Sequence, residues 1–348
     1  MIATIAQRTR RRAARLAAAG TTAVVLLAGC AGEVPQPVPD PSATTPVPVL
    51  DEVRIDRVLA EVEATLAAAD EGLDPEALAE RLSGPALEMR QAEYRLAQAS
   101  GGENPPTPLT TESQIEVVAT TDEWPRTLLV VSHPPEGSNL PLLLALTQED
   151  PRSQYSLWFW TRLLPGTQTP PTASSDIGST PVALDADGLV ASPQETLAAY
   201  AAALNDAASE SAALFAADAY RETYAESQAA LAASVEAAGE VSRVNEVVPE
   251  ATAALSTTDG GAIVVGVIRS TLTMRKTVEG STLHAGGAIA TLMGEDTEVE
   301  GAVNGHYDVT LAFHVPPAGS DDPITVLGAD QVLVEVTQED PPPAEPAE

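Results

Sequence analysis

The sequence predicts an α+β chain built as two tandem halves, each a set of helices followed by an antiparallel meander of strands. Three observations carry this prediction. Apolar residues first recur at helical spacing, then switch to short runs rich in valine, leucine and aromatics, and the same order returns after residue 190.

Ile55, Leu59, Val62, Leu66 and Ala69 step by 4, 3, 4 and 3 residues, the stripe of an amphipathic helix. Asp74 followed by Pro75 is a cap and first-turn pair, and a further helical stretch runs to Gln98 with a break near Ser83-Gly84-Pro85. Gly101 to Pro108 reads as a loop. Four strands are then expected over 114–121, 126–132, 140–147 and 154–164, with a fifth over 181–190. In the second half Ser192 and Pro193 open a helix running through Ala203, and a longer helix is expected over 209–237. Strands follow over 247–257, 261–274, 281–293, 305–315 and 324–336. Local echoes support a duplication: Thr120-Thr121-Asp122 with Thr257-Thr258-Asp259, Tyr155 with Tyr307, and Leu184-Asp185-Ala186-Asp187 with Leu327-Gly328-Ala329-Asp330. Two helices and a meander place helices on one face of a curved sheet. That arrangement resembles the cystatin-like and nuclear-transport-factor-like cones, some of which enclose a small-molecule pocket.

Ahead of these halves the chain carries Arg8, Arg10, Arg11, Arg12 and Arg15 with no acidic residue among them, then an apolar run from Leu16 to Ala28. A basic stretch, a short apolar stretch and a small-residue site form a secretory signal over residues 1–29. The run is too short to cross a bilayer, which takes about 20 apolar residues. Leu27-Ala28-Gly29-Cys30 resembles the lipobox of bacterial lipoproteins. The resemblance implies a diacylglyceryl thioether on Cys30, cleavage before it, and fatty acylation, palmitate included, at the new terminus. Two or more acyl chains anchor stably where one does not. Cys30 is the sole cysteine, so intramolecular disulfides are excluded. The arginines fit either general secretion or twin-arginine export.

The expected domains are therefore the signal at 1–29, the lipidated Cys30 with a proline-rich tether over 30–49, α+β domains over 50–190 and 191–340, and a proline-rich disordered tail over 341–348. As extended polyproline, the tether reaches roughly 60 Å. The formal charge of −32 becomes −37 once the signal is removed. Such a surface repels phosphate backbones and anionic headgroups, which excludes nucleic acid as a partner and leaves the lipid as the membrane attachment. Seventeen arginines against the single Lys276 fit a GC-rich coding sequence. Lipobox, tether, Trp124-Pro125-Arg126 and tandem halves together resemble a group of uncharacterised actinobacterial cell-envelope lipoproteins. That resemblance implies a setting, the extracytoplasmic face of the cell membrane, and no activity.

The chain lacks cysteine pairs, His-Glu-x-x-His, a phosphate loop and Gly-x-Ser-x-Gly, so no metal or cofactor is expected. The polar constellation that stands out is His306-Tyr307-Asp308 with His314 beyond it. On a strand, His306, Asp308, Thr310 and His314 share one face, read either as a weak polar site or as an exposed face opposite the core. Trp158 and Trp160 flank Phe159 on a strand that is apolar on both sides, read as a buried strand or as an interface. Tyr94, Tyr220 and Tyr224 lie on helices as packing residues. The expected function is a non-catalytic, lipid-anchored adaptor or accessory factor for an envelope complex. Its alternatives are a carrier for a lipid or other apolar molecule, and an enzyme acting on envelope material through the His306/Asp308 face.

Overall fold

The computed structural model describes residues 46–340. The signal, the Leu27–Cys30 lipobox, the tether up to residue 45 and the tail from 341 lie outside the described residues. The described residues form one compact unit.

Helix α1 (Glu52–Gly72) starts where the Asp51 carboxylate accepts from the Arg54 backbone amide, and it buries Ile55, Leu59, Val62, Leu66 and Ala69. The short α2 (Pro75–Leu78) is capped by Asp74, which accepts from the Glu76 and Ala77 amides. Helix α3 (Gly84–Ala99) follows. These helices cover one face of a sheet ordered β1 (Ser113–Val118), β2 (Arg126–Ser132), β3 (Leu142–Gln148) and β4 (Ser156–Arg162), all antiparallel. Leu128, Leu144 and Trp160 point towards the helices and fill the core beneath them.

The second half repeats the plan. Helix α4 (Pro193–Asn205) opens on a capping box, in which Ser192 Oγ accepts from the Glu195 amide and Glu195 accepts from the Ser192 amide. A 3-10 turn at Glu210–Leu214 and α5 (Ala219–Val235) complete the helical layer. The sheet is ordered β5 (Gly239–Ser256), β6 (Ala262–Lys276), β7 (Ala302–Val315) and β8 (Thr325–Glu339), again antiparallel, with α6 (Gly287–Met293) inserted between β6 and β7. Tyr200, Phe215 and Phe313 meet edge-on and tilted in its helix-facing core, with centroids 5.0–5.9 Å apart.

The fold is α+β, as the periodicity predicts. Its four layers run helices, sheet, sheet, helices, because the remaining faces of the two sheets bury one another. Leu129, Leu143 and Phe159 from the first sheet share an apolar cluster with Ile263, Val265 and Leu327 from the second. At one corner the sheets touch through backbone: Leu164 N–H donates to Leu327 O, and Leu163 bridges Gly328. A methyl group on Gly328 would stand 2.8 Å from Arg162 O and from Thr161 Cγ2, so this approach requires glycine.

Several expected elements change. Residues 181–190 form no strand; only isolated bridges tie Pro181 to Leu255 and Leu189 to Pro317. The helix expected over 209–237 breaks at Phe215, which turns extended, bridges Ile324 and drops its ring into the core, so Asp218 must cap a new helix. Residues 281–293 hold a loop and α6 where a strand is expected. β5 begins at Gly239, ahead of the expected 247. Thr120-Thr121-Asp122 and Thr257-Thr258-Asp259 both follow the first strand of their sheet, which fits duplication. Tyr155 precedes a fourth strand whereas Tyr307 lies in a third, so that echo is not structural.

Candidate functional site

On β7 the face carrying His306 and Asp308 is not exposed. Asp308 and Thr310 are buried, and Thr310 O accepts from Thr161 Oγ1 of the first half at 3.2 Å. Burial by itself pushes the Asp308 carboxyl above its usual range, and the Arg269 guanidinium, with Nε 2.5 Å from Oδ1, opposes that shift. His306 lies 3.2 Å through Nδ1 from Thr271 Oγ1 and 3.2 Å through Nε2 from Thr337 Oγ1. His314 instead faces Asp259, Nε2 to Oδ2 at 3.2 Å. The three groups therefore pair separately and do not converge.

Trp160 is wholly buried beneath the helices of the first half, which removes it as a partner surface. A bulge in β4 explains the arrangement: Ala145 pairs Phe159 while Leu146 pairs Leu157, leaving Trp158 as the extra residue. Trp158 stacks on Phe159 at 6.1 Å and lies half-buried over Gly84. Phe159, between the two tryptophans, is buried in the cluster shared with the other sheet, and Trp158 packs against the edge of that cluster.

The helix tyrosines have polar partners that sequence spacing does not reveal. Tyr94 donates to Asp70, which also pairs with buried Arg90; Arg90 bonds Glu93 and Thr107 O in turn. Burial raises the Tyr94 hydroxyl above its usual range and the Glu93 carboxyl likewise. Tyr200 donates to Asp218 at 3.0 Å, and Asp218 pairs with Arg221. Asp70 thus ties α1 to α3, and Asp218 ties α4 to the start of α5.

A groove lies on the helix side of the second half. It has a volume of about 750 Å3 and runs between the C-terminal end of α4, the start of α5 and β5. Its walls are largely small and apolar, with Ala203, Leu204, Ala219 and Ala225 among them, and its polar lining includes Asn205, Tyr224 and Arg243. The Arg243 guanidinium lies between two rings, 4.9 Å from the Tyr224 centroid and 5.0 Å from that of Tyr307. Its Nε donates to Ser270 Oγ at 2.7 Å and its Nη2 to Gln331 Oε1 at 3.1 Å. Asn245 is buried; its Nδ2 donates to Asn205 Oδ1 and to Tyr224 Oη, and its Oδ1 has no partner among the described residues. Tyr220 and Tyr224, one helical turn apart, mark α5 in the sequence. Arg243, Asn205 and Asn245 carry no such mark, because only the fold brings the last residue of α4 and an edge strand to the same helix.

Among the described residues no group of three or more His, Cys, Asp or Glu side chains is placed to hold a metal. No curated protein and no solved structure matches the chain. The domain of unknown function DUF8094 matches residues 46–338, from just before α1 to the end of β8 and across both sheets. By that match over most of its length, the chain belongs to the DUF8094 family.

Proposed function

We propose that this protein is a lipid-anchored, non-catalytic component of the cell envelope, serving as an adaptor or accessory factor to a complex on the extracytoplasmic face of the membrane. One observation carries the reading: the polar side chains that the sequence puts forward for chemistry are engaged by internal partners, while the groove between α4, α5 and β5 remains open. The anchor reading rests on Leu27-Ala28-Gly29-Cys30. No described helix is long and apolar enough to cross a membrane.

Two measurements test this. Cys30→Ala abolishes palmitate labelling and moves the protein out of the membrane fraction; unchanged retention rejects the anchor. A photo-crosslinking residue at Ala225, in the groove, gives a discrete protein adduct in intact envelopes that the same residue at Glu103 does not. Identical patterns from the two positions reject the adaptor. The volume of the groove also favours a second reading, a carrier, since small-molecule sites span about 300–1,000 Å3. Lipid co-purifying in native mass spectra is its signature.

A further inference from the structure

The groove of the second half holds a cation without a counter-ion. In a chain with 50 acidic residues against 18 basic ones, an arginine beside a carboxylate is the ordinary arrangement, and Arg81, Arg90, Arg162, Arg221, Arg269 and Arg275 all show it. Arg243 departs from it, as do Arg57, Arg95, Arg126 and Arg152, and of these five it is the one that lines the groove. Among the described residues no carboxylate oxygen comes within 4.0 Å of Arg243. Neutral acceptors, Ser270 Oγ and Gln331 Oε1, hold its Nε and Nη2, and the Tyr224 and Tyr307 rings fix its plane. Nη1 takes no described partner, so a half-buried, oriented guanidinium keeps donors to offer on the groove. Tyr224 Oη already accepts from Asn245 Nδ2, which leaves its own hydrogen to donate. Beside these donors Ala203, Leu204 and Ala225 supply an apolar wall, while Asp218, paired with Arg221, and Glu222 line the groove on the α5 side.

We propose that this groove binds a single-chain anionic amphiphile, its carboxylate or phosphate on Arg243 and Tyr224 and its apolar body along the alanine wall. The class follows from complementarity. A planar guanidinium recognises an oxyanion, and an unpaired cation in an acidic protein gains most from one. The apolar wall rewards a hydrocarbon body, and the groove falls within the size range of small-molecule sites. The proposal deepens the carrier reading and rests on it.

The test uses the body Thr45–Glu348, which contains all four apolar cores in one compact unit. The probes are 1-anilinonaphthalene-8-sulfonate, N-phenyl-1-naphthylamine (the same apolar body without its anion) and palmitate as competitor. Saturable binding of the sulfonate, displaced by palmitate, is expected. Arg243→Gln weakens sulfonate and palmitate by at least about tenfold and the neutral probe by less than about twofold; Arg243→Lys restores part of the loss. Ala225→Trp, which fills the groove from an exposed position, blocks all three. Equal losses for both probes in Arg243→Gln, or no loss, overturn the headgroup assignment while leaving a carrier. Binding that survives Ala225→Trp overturns the location. No binding of any probe to the folded wild type, shown by its melting transition, overturns proposal and carrier together, as does a groove that takes only an acidic peptide.

Discussion

Phe159→Ala tests the shared face of the two sheets. The ring is fully buried, opposite Ala145 on the neighbouring strand and within the cluster formed by both sheets. Transfer of a phenylalanine ring from water is worth about 3 kcal/mol at most, and the cavity left behind adds to it. The expected loss is therefore about 3–5 kcal/mol. With an unfolding entropy near 2.1 cal/mol/K per residue over roughly 300 residues, each kcal/mol lowers Tm by about 1.6 °C, giving a fall of about 5–8 °C. Thermal and urea unfolding are followed by tryptophan fluorescence, which reports Trp124, Trp158 and Trp160, all in the first half, and by far-UV circular dichroism, which reports both halves. Because Phe159 joins the halves, both signals move together. Val244→Ala, at an edge-strand position that is 51% exposed, serves as control and changes stability by less than about 0.5 kcal/mol. A loss below about 1 kcal/mol, or a tryptophan transition that shifts alone, refutes the claim that the sheets share a core.

Ser192→Ala removes one arm of the capping box of α4 and costs about 1 kcal/mol in urea unfolding, while Ser192→Thr costs less than half of that. Burial pushes the Asp330 carboxyl above its usual range, with Arg162 opposing at 3.5 Å. A carboxyl raised in the folded state contributes stability in full below its unfolded pKa, and that contribution disappears as pH rises through the folded value. The contribution of Asp330 to the urea midpoint should therefore fall as pH rises above about 4, against the opposite slope of Asp150, Glu195, Asp259 and Glu339, whose carboxyls are held below their usual range. Asp330→Asn should remove that falling part of the slope, Asp308 and Glu93 sharing its direction. An unchanged slope contradicts the burial argument.

Much of the fold is legible in the sequence because burial on one side writes a period. The five residues of the α1 stripe are the five it buries, and Ser192-Pro193 marks α4 to the residue. Legibility fails where the period is absent or ambiguous. The start of β5 alternates Val241, Arg243 and Asn245 with Ser242, Val244 and Glu246, polar on both sides, so nothing in it reads as a strand. The run from Gly286 to Met293 is apolar but too short to separate helix from strand by pattern, and it folds as a helix behind Gly287 at φ +59°. Alanine-rich residues 209–237 favour one helix locally, yet Phe215 is worth more in contact with Tyr200 and Phe313 than in a continued turn. The candidate site is the least legible part. His306 and Asp308 are conspicuous in sequence but structural in the fold, whereas Arg243 becomes conspicuous only once two tyrosines from different elements enclose it.

The chain enters the body at Pro48 and Val49, where Val49 N–H donates to Ala119 O and Pro48 bridges Thr120 just beyond β1. A pull on the chain upstream of Pro48 would load a margin of the first sheet, and neither Pro48 nor Val49 lines the groove. A load applied there would enter through the backbone bonds of Val49 and Pro48 to the end of the first sheet, and would reach Arg243 only through the core that the two sheets share.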